Sequence, residues 1–343
     1  MKVVLTGHHG YLGSVTTEEL RAAGHDVVGL DTYFYLGCDL WPNGDVSAPD
    51  RIDVRSVEAE TFEGADAVVH LAALSNDPLG ALSPELTLEI NYRASERIAR
   101  AAREAGVPRF VFASSCSMYG AAADGEPRTE ESKLAPLTAY AESKVRSEEA
   151  LRALATDEFS PIFMRNATAY GVSPRLRLDI VLNNLAAWAH TTGKIRILSD
   201  GTPWRPLVHV RDISRATLAL LEADRDAVHN ESFNIGHDAD TYQVRELAAI
   251  VSEASEGCDV EIVGVGDADP RSYKVDFGKF ARTFPAFEYQ WDARRGAREL
   301  LDAFREVGLT FEDFEGHRFI RLNQLTRLRQ EGRLDDTLRW RPA

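Results

Sequence analysis

The segment Thr6-Gly7-His8-His9-Gly10-Tyr11-Leu12-Gly13 constrains this chain more than any other. It joins a short apolar run, Lys2–Leu5, to a helical pattern, Tyr11–Ala23, that Gly24 closes. Glycines so placed permit a tight turn and let the backbone approach a pyrophosphate. The helix that follows supplies amide donors and positive potential. The spacing is GxxGxxG rather than GxGxxG. An acid stands where such a loop needs one: Asp31 follows Val28-Gly29-Leu30, eighteen residues beyond Gly13. A carboxylate there accepts both ribose hydroxyls of NAD and repels the additional phosphate of NADP. Thr32 and Tyr33 bring no cation to offset that repulsion. The loop residues Gly7, Gly10, Tyr11, Leu12 and Gly13, with Asp31, are therefore candidate contacts for NAD.

The first half of the chain alternates apolar runs with helical patterns. Strands are expected at Lys2–Leu5, Val27–Leu30, Ala67–Leu71, Arg109–Ala113 and Pro161–Arg165, and helices at Tyr11–Ala23, Pro84–Ala105 and Leu137–Ala155. Gly24 and Gly106 follow the last periodic residues, as helix-terminating glycines do. This alternation predicts an α/β fold: a Rossmann-type, doubly wound parallel sheet. Asp53-Val54 is expected to end a short third strand and to meet the adenine edge. Leu71-Ala72-Ala73 ends the fourth, where small residues either let a dinucleotide pass or serve strand–helix packing.

Beyond about residue 165 the pattern changes, with arginine and proline in loops and shorter strands. We read a smaller α+β substrate domain here. The NAD-binding domain comprises 1–165 plus about 205–240, and the substrate domain about 166–204 and 241–343. The tail from Asp292 to Leu338 is expected to be helical. Its stretch His317–Arg333 reads as a solvated helix with an apolar stripe of Phe319, Ile320, Leu322, Leu325 and Leu328.

With 54 acidic and 39 basic side chains, the net charge is −15, which disfavours nucleic acid as a partner. No apolar stretch approaches a membrane span, and Val3-Val4-Leu5 is too short for a signal-peptide core. Cys38, Cys116 and Cys258 are scattered without CxxC spacing, so neither a metal site nor a disulfide framework is expected. The expectation is a reduced, cytoplasmic protein.

The chemistry is carried by Tyr140-Ala-Glu-Ser-Lys144, with Ser115 twenty-five residues upstream of Tyr140. Tyr140 and Lys144 lie one helical turn apart on one face. An ammonium near a phenol favours the phenolate, which makes Tyr140 a candidate general base for an alcohol.

In these residues the chain resembles the extended short-chain dehydrogenase/reductase family, in its nucleotide-sugar epimerase and dehydratase branch. The resemblance extends to His70-Leu71-Ala72-Ala73, Asn91, Ser114-Ser115-Cys116-Ser117-Met118-Tyr119-Gly120, Arg165 with Ala169-Tyr170-Gly171, and Arg205-Pro206-Leu207-Val208-His209-Val210-Arg211-Asp212. It implies that Tyr140 is the catalytic base, that Lys144 binds the nicotinamide ribose, and that Ser115 bonds the reacting hydroxyl. It also implies that Asn91 and Ser114 sit near the cofactor. Ser115, Cys116, Ser117, Asn166, Thr168, Arg205 and Arg271 would face a nucleotide-diphosphate sugar. Arg175 and Arg177 are either further substrate contacts or surface residues. Trp204 either stacks on the substrate or packs. Relatives commonly pair as homodimers through helices that correspond to Pro84–Ala105 and Leu137–Ala155, so these two helices either form a homodimer seam or simply cover the sheet.

Two departures bear on the reaction. Dehydratases of this branch carry an Asp-Glu pair where this chain has Cys116 and Ser117. A serine is a poor base, and a thiol is either an unusual acid or a packing residue. Thr168 stands where many relatives have an asparagine, with Asn166 two residues earlier. The expectation is an NAD-dependent epimerase acting at C4 of a nucleotide-linked sugar. The alternatives are a dehydratase or 4-ketoreductase and, from another class, a non-catalytic NAD-binding protein.

Overall fold

In the computed structural model, which describes residues 1–41, 50–75, 83–121, 125–264 and 272–342, the first apolar run lies inside a sheet. The strands along the chain are β1 Lys2–Thr6, β2 Asp26–Leu30, β3 Ala67–His70, β4 Arg109–Ser115, β5 Ser160–Asn166, β6 Thr168–Tyr170, β7 Lys194–Ile197, β8 Trp204–His209, β9 Ser232–Ile235, β10 Thr241–Gln243 and β11 Asp259–Ile262. Six of them form one sheet in the order β2-β1-β3-β4-β5-β9. Every pairing in it is parallel; Val4, for example, lies opposite Val28 and Val68. The longer helices are α1 Tyr11–Ala22, α2 Ala94–Glu104, α3 Ala139–Arg152, α4 Val181–Thr192, α5 Val210–Glu222, α6 Val244–Ala254, α7 Ala293–Val307 and α8 Arg321–Gln330.

Alternation along the strands explains the layers. Val3, Leu5, Val69, Val111, Ile162 and Met164 point to one face, where Leu20 of α1 and Ile213 and Leu220 of α5 cover them. Val4, Val68, Phe110, Phe112 and Phe163 point to the other, against Ile98 of α2 and Leu151 of α3. A sheet covered on both faces needs strands that are apolar throughout, which is why they read as continuous runs. A further core joins α4, α6 and α7 through Leu182, Leu185, Leu247, Val251, Leu300 and Phe304. Beside it lie a three-stranded sheet, β10-β8-β6, and the parallel pair β11-β7. Outward faces of α2, α3 and the turns before α2 carry the ion pairs Arg93–Glu89, Arg100–Glu96 and Arg146–Glu142. Among the described residues, no helix is long and apolar enough to cross a membrane.

Two expectations are corrected. Asp53-Val54 does not end a strand. Ile52 N–H makes one ladder-like bond to Asp31 O at 2.8 Å. The Asp53 side chain then accepts from Arg55 N–H at 2.9 Å and starts a 3-10 turn, Val54–Ser56. A local side-chain bond here competes successfully with sheet pairing. The tail helix carries the expected stripe, with Leu325 and Leu328 buried, but it is docked rather than solvated. Arg321 and Gln324 of α8 are as buried as Leu325 and Leu328, and the segment folds back on the loop after β2. Trp340 Nε1 donates to Thr32 O at 2.6 Å, and Arg55 Nη1 to Thr337 O at 2.7 Å.

Candidate active site

Parallel strands end on one side of the sheet, and their C-terminal loops there surround a cavity of about 710 Å³. Gly7 opens it with φ +74°. A Cβ on Gly7 would lie 2.9 Å from Ala72 Cα, and one on Gly13 would lie 2.0 Å from Gly7 O. The loop after β1, the first turn of α1 and the loop after β3 thus touch backbone to backbone, and Ala72 serves that approach. Gly10 precedes α1 and offers no side-chain cap. The N-terminal turn of α1 presents its amide donors to the cavity, which Gly10, Tyr11, Leu12 and Gly13 line. Gly13→Ala is expected to cost about 1–3 kcal/mol by overpacking and to weaken dinucleotide binding. Urea denaturation and cofactor titration check both.

Asp31 lines the cavity past β2. Its carboxylate accepts from Tyr33 N–H at 2.7 Å and His9 N–H at 3.0 Å. Burial pushes its carboxyl above the usual carboxylate range, and those two amides oppose the shift. Asp53 and Val54 also line the cavity. The Asp53 carboxylate is engaged by Arg55, with Nη2 to Oδ2 at 2.6 Å. Leu71, Ala73 and Ser114 complete this wall.

At the other end, Thr138 Oγ1 accepts from Ala141 N–H at 3.1 Å and caps α3. That sets Tyr140 in the first turn and Lys144 one turn on. Both line the cavity together with Ser115 from the end of β4. Ser115 Oγ accepts from Ser117 N–H at 3.2 Å. Lys144 is buried. Its Nζ donates to Ala113 O at 2.6 Å and stands 5.8 Å from the Tyr140 ring centroid. Desolvation lowers the Lys144 pKa to about 7, with Glu148 opposing.

That shift sets a pH dependence. The unfolded lysine holds its proton to about pH 10.4, whereas the folded one releases it near 7. Between these values the unfolded state binds more protons, so stability rises with pH. Relative to Lys144→Met, the ligand-free protein is expected to gain up to about 1.4 kcal/mol per pH unit across this window. Urea titrations at several pH values check it, and parallel curves would refute it.

Of the other expected site residues, Ser117, Asn166, Thr168, Arg177 and Arg205 line the same cavity. Ser117 Oγ and Asn166 Oδ1 are buried without a hydrogen-bond partner among the described residues. Three residues lie elsewhere. Cys116 is fully buried, its Sγ directed to Arg165 O at 3.0 Å, and burial pushes its thiol far up. The 3-10 turn Cys116–Tyr119 rotates it into the core beneath the sheet. Asn91 is 1% exposed and bonds Leu74 N at 2.8 Å and Leu74 O at 3.0 Å, so it braces the loop after β3 from behind. Arg175 ion-pairs with Asp39 and bonds His9, away from the cavity wall. Trp204 packs under Lys274, whose Nζ lies 4.2 Å from its ring. Arg271 lies outside the described residues. The cavity also includes residues that sequence reading missed: Tyr35, Arg55, Tyr273 and Arg321. Arg55 lies beside Asp53, Tyr273 two residues from Arg271, and Arg321 within the apolar stripe of the tail, but none of them carried a signal of its own.

The NAD dependent epimerase/dehydratase family model matches residues 3–236. The chain belongs to that family. A UDP-glucose 4-epimerase from Bacillus subtilis (strain 168) is 28% identical over 335 residues, spanning 89% of this chain and 96% of the relative. The structure of MoeE5 in complex with UDP-glucuronic acid and NAD superposes with a TM-score of 0.76 at 28% identity, covering 89% of this chain and 99% of that one. DesIV, a dTDP-glucose 4,6-dehydratase from Streptomyces venezuelae with NAD bound, gives a TM-score of 0.74 at 25% identity, over 89% and 97% of the two chains. NAD is the family's cofactor, and the residues present fit it. The glycine cradle would be filled by any Cβ, the α1 N-terminus is uncapped, and Asp31 stands at the cavity's edge.

Proposed function

We propose that this member of the epimerase/dehydratase family is an epimerase of a nucleotide-linked sugar, acting at C4. One observation carries the choice of reaction. Among the described residues, the carboxylates lining the cavity are Asp31, Asp53 and Asp179. Asp31 is held by two backbone amides, Asp53 is paired with Arg55, and Asp179 is paired with Arg177. Among the described residues, these carboxylates are thus committed to other partners, and no Asp-Glu pair follows Ser115 to expel a hydroxyl from the neighbouring carbon. Cys116 has left the cavity, and Ser117 is a hydroxyl.

What remains suits reversible oxidation of one alcohol. Tyr140 takes the proton from the sugar hydroxyl. Ser115 donates to the oxygen as it becomes a carbonyl. Lys144, within 5.8 Å of the Tyr140 ring, offsets charge that develops on the phenol oxygen. Bound NAD supplies a reversible hydride acceptor. Arg205 holds the substrate diphosphate, and the unpartnered Ser117 Oγ and Asn166 Oδ1 receive sugar hydroxyls. The 4-keto sugar turns over while its nucleotide stays held, and Tyr140 returns the proton.

The test is NMR of the protein with a panel of nucleotide sugars and no added cofactor. A new sugar signal at unchanged mass is expected. Loss of a water from the product, or turnover only with added NADH or NADPH and a keto sugar, would sink this reading.

A further inference from the structure

Three arginines meet near the glycine loop, and among the described residues only two have a carboxylate. Arg175 is ion-paired with Asp39, and Arg177 with Asp179 at 2.8 Å. Arg321, in the first turn of α8, forms no ion pair among the described residues, although it is 3% exposed. Its Nη2 donates to Arg175 O at 2.7 Å, and its guanidinium lies 3.9 Å over the Tyr35 ring. Its Nη1 is buried with no hydrogen-bond partner among the described residues. A buried guanidinium N–H without an acceptor is costly. Arg321 lines the cavity, so the missing acceptor belongs to what the cavity binds.

Position tells which ligand atoms these are. Arg177 Nη1 donates to Ser75 Oγ at 2.9 Å, just beyond β3. Gln324, on the same helix as Arg321, donates to Phe34 O at 3.0 Å, just beyond β2. Arg177 and Arg321 therefore stand among the loops that follow β1, β2 and β3. That is the part of the cavity beside the glycine loop and Asp31. A dinucleotide with one ribose at Asp31 and its nicotinamide toward Tyr140 would have its pyrophosphate between them, beside these loops.

We propose that Arg321 and Arg177 grip the pyrophosphate of NAD from the side opposite the glycine loop, so that the C-terminal helix α8 is part of the cofactor site. Asp179 balances Arg177, which leaves the Arg321 charge for the anion. The α1 N-terminus contributes the rest. The proposal rests on NAD being the family cofactor and is independent of the reaction catalysed.

The experiment strips NAD from the wild type, Arg321→Gln and Arg321→Lys. Each is titrated with NAD, ADP, adenosine and UDP, and melted without ligand. Arg321→Gln is expected to weaken NAD and ADP by about 10- to 100-fold, the loss of a charge-assisted hydrogen bond to a phosphate. Adenosine and UDP should bind as in the wild type. Arg321→Lys should recover part of the loss, since lysine keeps the charge but not the fork. The Tm of the stripped variants should not fall, because an uncompensated buried charge is relieved. Unchanged NAD affinity would overturn the proposal. So would a loss confined to UDP, which would assign the arginines to the substrate's diphosphate. If the glutamine variant is destabilised, the ratio of ADP to adenosine affinity still decides, since a damaged fold weakens both alike.

Discussion

Tyr140→Phe is expected to lower kcat by about 10²- to 10⁴-fold, the range for removing a positioned general acid–base, while NAD still co-purifies with the protein. The phenol hydroxyl is the only atom lost. Tyr140 lines the cavity beside Ser115, and α3 is capped by Thr138, so the helix has no reason to move. Lys144 keeps its bond to Ala113 O. KM should change little, because the ring still fills its place. Single-turnover absorbance of the bound nicotinamide and steady-state NMR assays check the two halves separately. Variant activity within tenfold of the wild type would remove Tyr140 as the base. Loss of NAD along with activity would mean that the hydroxyl supports the cofactor instead.

The second large effect is structural. Glu148 of α3 and Arg165 of β5 form a buried, forked pair: Nε to Oε1 at 3.0 Å and Nη2 to Oε2 at 2.7 Å. Arg165 also donates to Tyr119 Oη at 3.1 Å and Glu130 O at 2.9 Å. Its pKa is raised far above the usual arginine range by Glu148, against the opposing effect of burial. Glu148→Ala leaves that guanidinium buried without a carboxylate. The expected cost is about 3–5 kcal/mol, the price of breaking a buried pair from one side, read from urea midpoints. Glu148→Leu with Arg165→Met should recover much of it, because both charges are then gone. A cost under about 1 kcal/mol for the alanine variant would show that water or another carboxylate reaches Arg165. Activity should fall along with stability, since this pair anchors the helix that carries Tyr140 and Lys144. Glu148 also opposes the desolvation of Lys144.

Much of the sheet was readable because its strands are buried on both faces. Such strands cannot alternate, so Val3-Val4-Leu5 and Phe110-Val111-Phe112 stand out as runs. The helix ends were readable at Gly24 and Gly106, whose φ values of +87° and +76° most side chains avoid. The cavity's two ends were readable for a similar reason. A glycine loop and a Tyr–Lys pair are local patterns, and each works through neighbours a few residues away. Where a residue's direction depends on a turn, the sequence left alternatives open. Cys116 and Ser117 are adjacent, yet one lies in the core and the other on the cavity wall. Asn91 bonds Leu74 on the loop after β3, a contact that only the tertiary fold brings about.

Local sequence sets the order of elements, the glycine loop, its acid and the Tyr–Lys pair, because backbone conformation and helical periodicity are written over short distances. Tertiary structure alone decided which charges meet. Arg55 reaches the backbone of Thr337, 282 residues away, and Arg321 reaches that of Arg175, 146 residues away. Contacts across such distances leave no period in the sequence to read. Whether a charged side chain is solvated, paired or kept for a ligand depends on which loops the sheet brings together at its C-terminal edge.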